Sequence, residues 1–86
     1  MPTVCVFYGI YIRMYYDDHI PAHFHVYYGD YAAKVTIETG EIVAGRLPNR
    51  VLALVPEWSD INKPALLDNW RRCLHHEPLL MLDPLE

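Results

Sequence analysis

Residues 9–31 read GIYIRMYYDDHIPAHFHVYYGDY, and two alternating segments within this stretch decide the fold. In residues 10–16, Ile, Ile and Met occupy every second position, which is typical of a half-buried strand. Residues 23–28 alternate in the same way, with His23 and His25 on the face opposite Phe24. The aspartates and the proline between the two segments favour a turn, because they accept local hydrogen bonds and remove a backbone donor. The stretch therefore predicts two strands joined by an acidic, histidine-rich turn.

The strand pattern continues on the C-terminal side of this stretch. Residues 31–37 again place apolar side chains at alternate positions, and a hairpin with Gly40 near its tip precedes a shorter strand at residues 42–45. Residues 3–7 are either a brief pairing strand or a lead-in to the strand at Ile10, and both alternatives stay open. We predict an antiparallel meander of about four strands.

The periodicity changes from that of a strand to that of a helix at Leu47. Apolar residues recur at helical spacing over residues 47–58 and in a second stripe further along the chain. That second stripe consists of Leu67, Trp70 and Leu74. Pro56 predicts a bend or an early stop, because it removes one helical hydrogen bond. We therefore predict one α+β domain over residues 1–86: the meander, a kinked or split C-terminal helix, and a short apolar tail that adds an edge strand or docks on a partner.

Composition narrows the expected partners and compartment. The chain has 7 Lys and Arg against 11 Asp and Glu, a formal net charge of −4, so a broad electrostatic footprint on nucleic acid is not expected. Self-association into a homo-oligomer is favoured near the isoelectric point. Cys5 and Cys73 match no metal or redox spacing and are predicted to be reduced and buried. No signal peptide or membrane-spanning run is visible, so we expect a cytoplasmic protein with no membrane partner.

The histidine-rich turn is the candidate metal site. Side chains two apart on a strand leave the same face, so the rings of His23 and His25 are expected to project together, and the turn can bring His19 and either Asp17 or Asp18 to the same edge. Imidazoles completed by a carboxylate or a water suit zinc, and also iron or nickel. No cofactor is required by the pattern, but His19, His23 and His25 can form a site for a divalent, zinc-like ion.

Two other interpretations of the same residues stay open. Metal-free acid/base catalysis would use His23 and His25, with Asp18 orienting a ring and holding its charge. Alternatively the histidines are structural, bonding turn carbonyls on one side and covering apolar surface on the other. No cofactor is expected under either of these interpretations.

Two groups of basic residues are candidate phosphate contacts. Arg13 and Lys34 fall on the strands that flank the histidines, where they can contact a phosphate. Arg71 and Arg72 lie near the end of the second helical segment, where cations interact favourably with the helix dipole. The dipole interpretation is preferred for Arg71 and Arg72, and phosphate binding is the alternative.

Three blocks of the sequence carry a family resemblance: IRMYYDDHIPAHFHVYYGDY, IETGEI and LPNRVLALVPEW. Over almost its whole length the chain resembles the bacterial family known as domain of unknown function 4160. The resemblance implies a compact four-stranded sheet with a C-terminal helix. It also implies a small partner protein encoded by a neighbouring gene, in what looks like a toxin and antitoxin arrangement.

Two functions from different classes are therefore expected. In the first, the protein is the partner-binding component of a two-gene module, with its tyrosines and apolar tail as contact surface and the histidine turn as a functional surface. In the second, it is a small toxin-like enzyme that acts on RNA, or a metal-dependent hydrolase. His23 and His25 would then be the catalytic or metal-binding groups, and Arg13 or Lys34 would meet phosphate.

Overall fold

The computed structural model describes residues 2–16 and 18–86 as a sheet followed by two helices. The elements are β1 (Thr3–Phe7), β2 (Ile10–Arg13), β3 (His23–Tyr28), β4 (Tyr31–Thr36), β5 (Ile42–Arg46), α1 (Asn49–Ile61) and α2 (Lys63–Leu74). The strand order in the sheet follows the chain, and every neighbouring pair is antiparallel. The predicted α+β meander is confirmed, with five strands instead of about four because residues 3–7 pair with β2.

The alternation read from the sequence matches the two faces of the sheet. Ile12, Phe24 and Val26 are fully buried, whereas their neighbours Tyr11 and His25 reach solvent. The strand predicted over residues 10–16 ends at Arg13, after which the amide of Met14 still donates to the carbonyl of Pro2. Strand β3 has the predicted bounds. The buried face packs against the helices and the other face is open.

Helix α1 closes the core over the buried face of the sheet. The indole ring of Trp58, which is fully buried, stacks on Phe7 and meets the ring of Phe24 edge-on. The helix begins at Asn49, two residues after the predicted start, because Pro48 keeps an extended conformation as the N-cap. These contacts place α1 across the strands that lead into the histidine-rich turn.

The predicted interruption of the helix is present, but Pro56 does not cause it. Pro56 lies inside α1, which continues to Ile61, and the break falls at Asn62. The carbonyl that loses its helical partner belongs to Leu52, and the side chains of Leu52 and Pro56 are both exposed, so water can replace the missing hydrogen bond. The early stop expected at Pro56 therefore does not occur, and the helix splits at Asn62.

The buried face of α2 also differs from the predicted stripe. Trp70 is buried as expected, but Leu67 and Leu74 are exposed. The residues that α2 buries are Leu66, Asn69, Trp70 and Cys73. The predicted stripe followed the apolar residues, whereas the buried face of α2 includes the polar Asn69, whose side chain makes two hydrogen bonds to Leu80.

The apolar tail after α2 docks on its own chain instead of extending the sheet. The amide of Leu82 donates to the carbonyl of Val4 (2.7 Å), and Leu82 is buried. The side-chain amide of Asn69 donates to the carbonyl of Leu80 and its oxygen accepts from the amide of the same residue, both at 2.9 Å. The tail is thus held at three places along its length, since the indole of Trp58 also donates to the carbonyl of Asp83.

Both cysteines are buried and unpaired, as predicted. Burial raises the pKa of the Cys5 thiol and of the Cys73 thiol, and at Cys73 the negative charge of Asp18 acts in the same direction. Both thiols are therefore protonated at neutral pH, and neither offers a thiolate to a metal.

We expect Gly45→Ala to destabilise the fold by about 1–3 kcal/mol more than Gly29→Ala. Both glycines have positive φ, +79° and +56°, so both substitutions carry similar backbone strain. A Cβ at Gly45 would overlap the backbone of Ala32 on the neighbouring strand, whereas a Cβ at Gly29 has open space around it. Urea denaturation of the two variants measures the difference, and equal losses would contradict the close approach of β4 and β5.

Candidate metal centre

The site is built from the end of β2, the loop after it and the start of β3. Strand β2 ends at Arg13 and β3 begins at His23, so the intervening loop has to reverse the chain. The loop brings the carboxylate of Asp18 over β3, within reach of both histidines of that strand. His23 and His25 project from the same side of β3, with ring centroids 5.1 Å apart. The predicted projection of the two imidazoles is confirmed.

One carboxylate oxygen lies between the two rings. Asp18 Oδ2 is 2.9 Å from His25 Nε2 and 3.2 Å from His23 Nε2. One ligand atom from each of the three residues lies within 4.8 Å of the others. Ligand atoms bound tetrahedrally to zinc at about 2.0–2.2 Å are themselves separated by about 3.3 Å. The three side chains therefore have the spacing of a metal-binding group, which we call the Asp18 cluster.

The tautomer of His23 follows from its second ring nitrogen. Nδ1 lies 2.8 Å from the carbonyl oxygen of Pro21, and because a carbonyl only accepts, Nδ1–H must be the donor. In the neutral ring the lone pair is then on Nε2. That atom is buried and has no hydrogen-bond partner among the described residues, although Asp18 Oδ2 is 3.2 Å away. An unshared acceptor facing a carboxylate oxygen is unfavourable unless a cation or a proton lies between them.

His25 lies in an aromatic environment that favours its neutral form. The ring of Tyr15 meets it edge-on at 4.6 Å, and the ring of Tyr27 is nearly parallel to it at 6.4 Å. Burial lowers the pKa of His25 below its ordinary value, although the hydrogen bond with Asp18 acts in the opposite direction. A neutral imidazole is the form that binds metal.

Tyr15 and Tyr27 also support each other. Their hydroxyl groups are 2.7 Å apart and share a hydrogen bond. Burial and this hydrogen bond raise the pKa of Tyr27 to about 12. Tyr27 is therefore a neutral phenol at neutral pH, and it acts as packing for His25 instead of as an anionic ligand.

Solvent reaches the cluster from one side. The exposed fraction of the side chain rises from 8% at His23 to 13% at His25 and 20% at Asp18. His23 is covered by the indole of Trp70 from α2, with ring centroids 5.4 Å apart. A small ligand or a water can thus approach between His25 and Asp18, whereas the His23 side is closed.

A protein-family comparison places this site within a known domain. The family described as domain of unknown function (DUF4160) matches residues 9–71, a segment that contains the whole Asp18 cluster and most of α2. The chain belongs to this family. No curated protein and no solved structure matches the chain. Within the described part of this DUF4160 domain, neither helix has the length and apolar character needed to cross a bilayer.

The DUF4160 site contains most, but not all, of the residues predicted for it. Asp18, His23 and His25 come together, whereas His19 is exposed and lies outside the Asp18 cluster. The loop turns His19 outward and supplies a carboxylate where a third imidazole was expected. Asp17, the other candidate carboxylate, lies outside the described residues.

The candidate phosphate contacts separate into two groups. Arg13 and Lys34 are the direct cross-strand neighbours of His25, one on each side. Arg71 and Arg72 both donate to the carboxylate of Asp68, whose pKa these hydrogen bonds lower. Further acceptors for the pair are Glu77 and the carbonyl of Pro78. The basic end of α2 is thus occupied within its own chain, and the basic residues that flank the site are Arg13 and Lys34.

Sequence reasoning missed two groups that complete the site. Trp70 was assigned to a core stripe, yet its indole covers His23. Tyr15 was placed on a strand face with Arg13, yet it lies beyond the end of β2 and contacts His25. An alternation pattern indicates the face of a residue but not which ring lies against it, so the sequence contained no signal for either contact.

Proposed function

We propose that this protein binds one divalent transition-metal ion in the Asp18 cluster, with zinc as the best match, and acts as a metal-dependent hydrolase. The observation that carries the proposal is Nε2 of His23, which is buried, carries the lone pair of the neutral ring, points at a carboxylate oxygen and has no hydrogen-bond partner among the described residues. A cation held by Asp18, His23 and His25 would replace this repulsion with attraction to both ligand atoms. The hydrogen bond from Nδ1–H to Pro21 is the kind of outer contact that orients metal-bound histidines.

The three ligand atoms suit zinc and would leave its fourth coordination position open for water or substrate. Two imidazoles and one carboxylate are three ligands, and catalytic zinc sites commonly keep a fourth position for water. Zinc lowers the pKa of its bound water to about 7, and so supplies hydroxide at neutral pH. The same donors also bind iron and nickel, for which the site geometry gives no advantage. The open side between His25 and Asp18 is where a substrate can approach.

Metal-free acid/base chemistry is the competing use of the same residues. It requires a proton instead of a metal ion between His23 and Asp18. Burying an imidazolium is unfavourable unless its partner is close and well aligned, and the 3.2 Å approach of Asp18 does not form a hydrogen bond with Nε2. The geometry thus favours the metal over the proton.

Partner binding stays a prediction. The apolar tail expected to contact a partner packs on its own chain, through Leu82 and the bonds of Leu80. The exposed apolar residues left for a small protein encoded by a neighbouring gene, or for a second copy of the chain, include Val6, Tyr8 and Tyr11 of the β1–β2 hairpin. Val6 pairs directly with Tyr11, on the side of the sheet that carries His25, so such a partner would share this side with a ligand of the Asp18 cluster.

Zinc titration of untagged protein tests the proposal. After removal of metal with a chelator, we expect one equivalent of zinc per chain by calorimetry, and zinc-dependent hydrolysis of bis(para-nitrophenyl) phosphate that the chelator abolishes. His19→Ala is the matched control, because it removes an exposed neighbouring imidazole from the same loop. It should bind zinc like the wild type. Absence of stoichiometric zinc binding, or its loss in His19→Ala, would contradict the proposed site.

A further inference from the structure

The open face of the sheet next to the Asp18 cluster carries basic and planar side chains. In the register of the sheet, Arg13, His25 and Lys34 form one cross-strand row, and Tyr11 pairs with Tyr27 in the next row. Directly paired residues project to the same side of an antiparallel sheet. Helix α1 packs on the opposite side, where Phe24 meets Trp58, and α2 reaches the side of His25 through Trp70, which covers His23. We call this row and its tyrosines the open face.

The charges on the open face suit a phosphate group. Arg13 and Lys34 form no ion pair among the described residues, although the chain as a whole is acidic. By contrast, Lys63 lies near Glu38. Neighbouring strands lie about 4.8 Å apart, so Arg13 and Lys34 are separated by about 10 Å with His25 midway between them. A single phosphodiester over His25 is therefore within reach of both long side chains.

Planar side chains lie next to the row formed by Arg13, His25 and Lys34. The guanidinium of Arg13 lies over the ring of Tyr27, 5.0 Å from its centroid, and 5.9 Å from that of Tyr11. The Tyr27 ring is in turn nearly parallel to His25, at an interplanar angle of 10°. Tyr11 is 44% exposed, so part of its ring is available to a ligand. Tyrosine rings and guanidinium planes are the groups on which unpaired bases stack.

A shallow depression lies beside this row of flat groups. Its volume is about 210 Å³, and it runs from His25 and Lys34 towards β5. Its floor is formed by the small residues Ala32, Ala44 and Gly45. Small side chains here leave room next to the cluster that a larger residue would fill. The depression can accept one flat ring or one sugar unit next to a phosphate held by Lys34.

We propose that the open face binds single-stranded nucleic acid, and that a phosphodiester of this strand is the substrate of the Asp18 cluster. This inference rests on the proposed function, since it names the substrate of the same site. A single strand fits better than a duplex, because stacking on Tyr11 and Arg13 needs bases that are not paired and stacked already. The acidic remainder of the chain limits binding to a short segment.

Hydrolysis of such a diester needs only water as co-reactant. The water oxygen forms a bond to phosphorus while one ester P–O bond breaks. One proton of the water ends on the released sugar hydroxyl, and the other is lost from the phosphate monoester product to bulk water. Arg13 and Lys34 act as positioning residues that hold the non-bridging oxygens near the cluster.

Fluorescence anisotropy with labelled oligonucleotides of about 12 residues tests the open face. The full-length protein is titrated with and without zinc, against single-stranded RNA, single-stranded DNA, the corresponding duplex and poly-glutamate as an acidic competitor. We expect binding to the single strands, at least about tenfold weaker binding to the duplex, and no competition by poly-glutamate. Similar affinities for RNA and DNA would show that the protein recognises phosphates and bases. A higher affinity for RNA would show that it also contacts the 2′-hydroxyl.

Substitutions distinguish binding at the open face from non-specific electrostatic binding elsewhere on the protein. Lys34→Gln is expected to weaken single-strand binding about threefold to tenfold and to reduce the salt slope by about 0.7, whereas Lys63→Gln, the matched control in α2, should leave both unchanged. Tyr11→Leu should cost about tenfold through lost stacking. Equal binding of the duplex, effective competition by poly-glutamate, or an unchanged Lys34→Gln variant would overturn the inference.

The two proposals fail separately in this experiment. Zinc binding without oligonucleotide binding leaves the metal site in place and removes the nucleic-acid substrate. Oligonucleotide binding that responds to Lys34→Gln in a protein that takes up no zinc retains the open face as a binding surface. In that case the zinc-dependent hydrolase is excluded, and with it the zinc-dependent cleavage step.

Discussion

Replacing His23 by phenylalanine is expected to lower the zinc affinity by at least about 100-fold while the protein stays folded. The substitution removes one of three ligands and keeps a ring of similar volume against Trp70. It also removes the unpartnered Nε2 and the hydrogen bond to the Pro21 carbonyl, which lies at an exposed residue where water can replace the donor. Without zinc we therefore expect a stability within about 1 kcal/mol of the wild type.

The difference in stability between metal-free and zinc-loaded protein distinguishes loss of the metal site from a general loss of stability. Zinc at about 100 times its dissociation constant should stabilise the wild type by about 2.7 kcal/mol, and the same concentration should stabilise His23→Phe by no more than about 0.4 kcal/mol. Thermal unfolding with chelator and with excess zinc measures both values. His75→Phe is a suitable control, because His75 is an exposed histidine outside the Asp18 cluster. A His23→Phe variant that zinc stabilises as much as the wild type would show that the ion binds elsewhere.

Trp58→Ala is expected to destabilise the protein by about 3–5 kcal/mol. Trp58 is fully buried and its ring contacts Phe7 and Phe24, so its removal leaves a large cavity between α1 and the sheet. The indole N–H also donates to the carbonyl of Asp83 (2.8 Å), and this bond holds the tail. A domain of this size has a total stability of about 4–13 kcal/mol, so this loss is a large fraction of the total.

Trp58→Phe keeps the prediction measurable if the alanine variant does not fold. It retains an aromatic ring in the core and removes the hydrogen bond to Asp83, so we expect a loss of about 1–2 kcal/mol. Leu52→Ala, at an exposed position of the same helix, should cost under about 1 kcal/mol. Urea denaturation followed by circular dichroism ranks the three variants. A Trp58→Ala variant as stable as Leu52→Ala would mean that α1 does not close the core.

Much of the fold could be predicted because local pattern and burial agree. The alternation of residues 23–28 defined β3 to the residue, and Ala33 and Val35 are buried as their spacing predicted. The fifth strand was left open because residues 3–7 are too short to distinguish a strand from a lead-in. The helix was expected to stop at Pro56, but the free-energy cost of a proline in a helix depends on whether the carbonyl that loses its hydrogen bond faces solvent. That exposure depends on how the helix packs, which the local sequence does not show.

The candidate site could be predicted in part, for a related reason. Spacing along a strand is local, so the shared projection of His23 and His25 followed from the sequence. By contrast, local sequence does not determine which side chain of the loop points towards the histidines. Asp18 and His19 are neighbours and both are common ligands, yet Asp18 faces the rings and His19 is exposed. The cover from Trp70 joins α2 to β3, two elements far apart in the sequence, so spacing along the chain could not predict it.

The docked tail has a consequence for the order in which the chain folds. Each strand of the meander pairs with its immediate neighbour, so the sheet forms by closing a succession of short loops. The bond between Leu82 and Val4 instead joins nearly opposite ends of the sequence, and the entropy lost on closing so long a loop is recovered only once the sheet and helices are in place. The tail therefore docks late in folding. Its contacts lower the unfolding rate and leave the folding rate nearly unchanged.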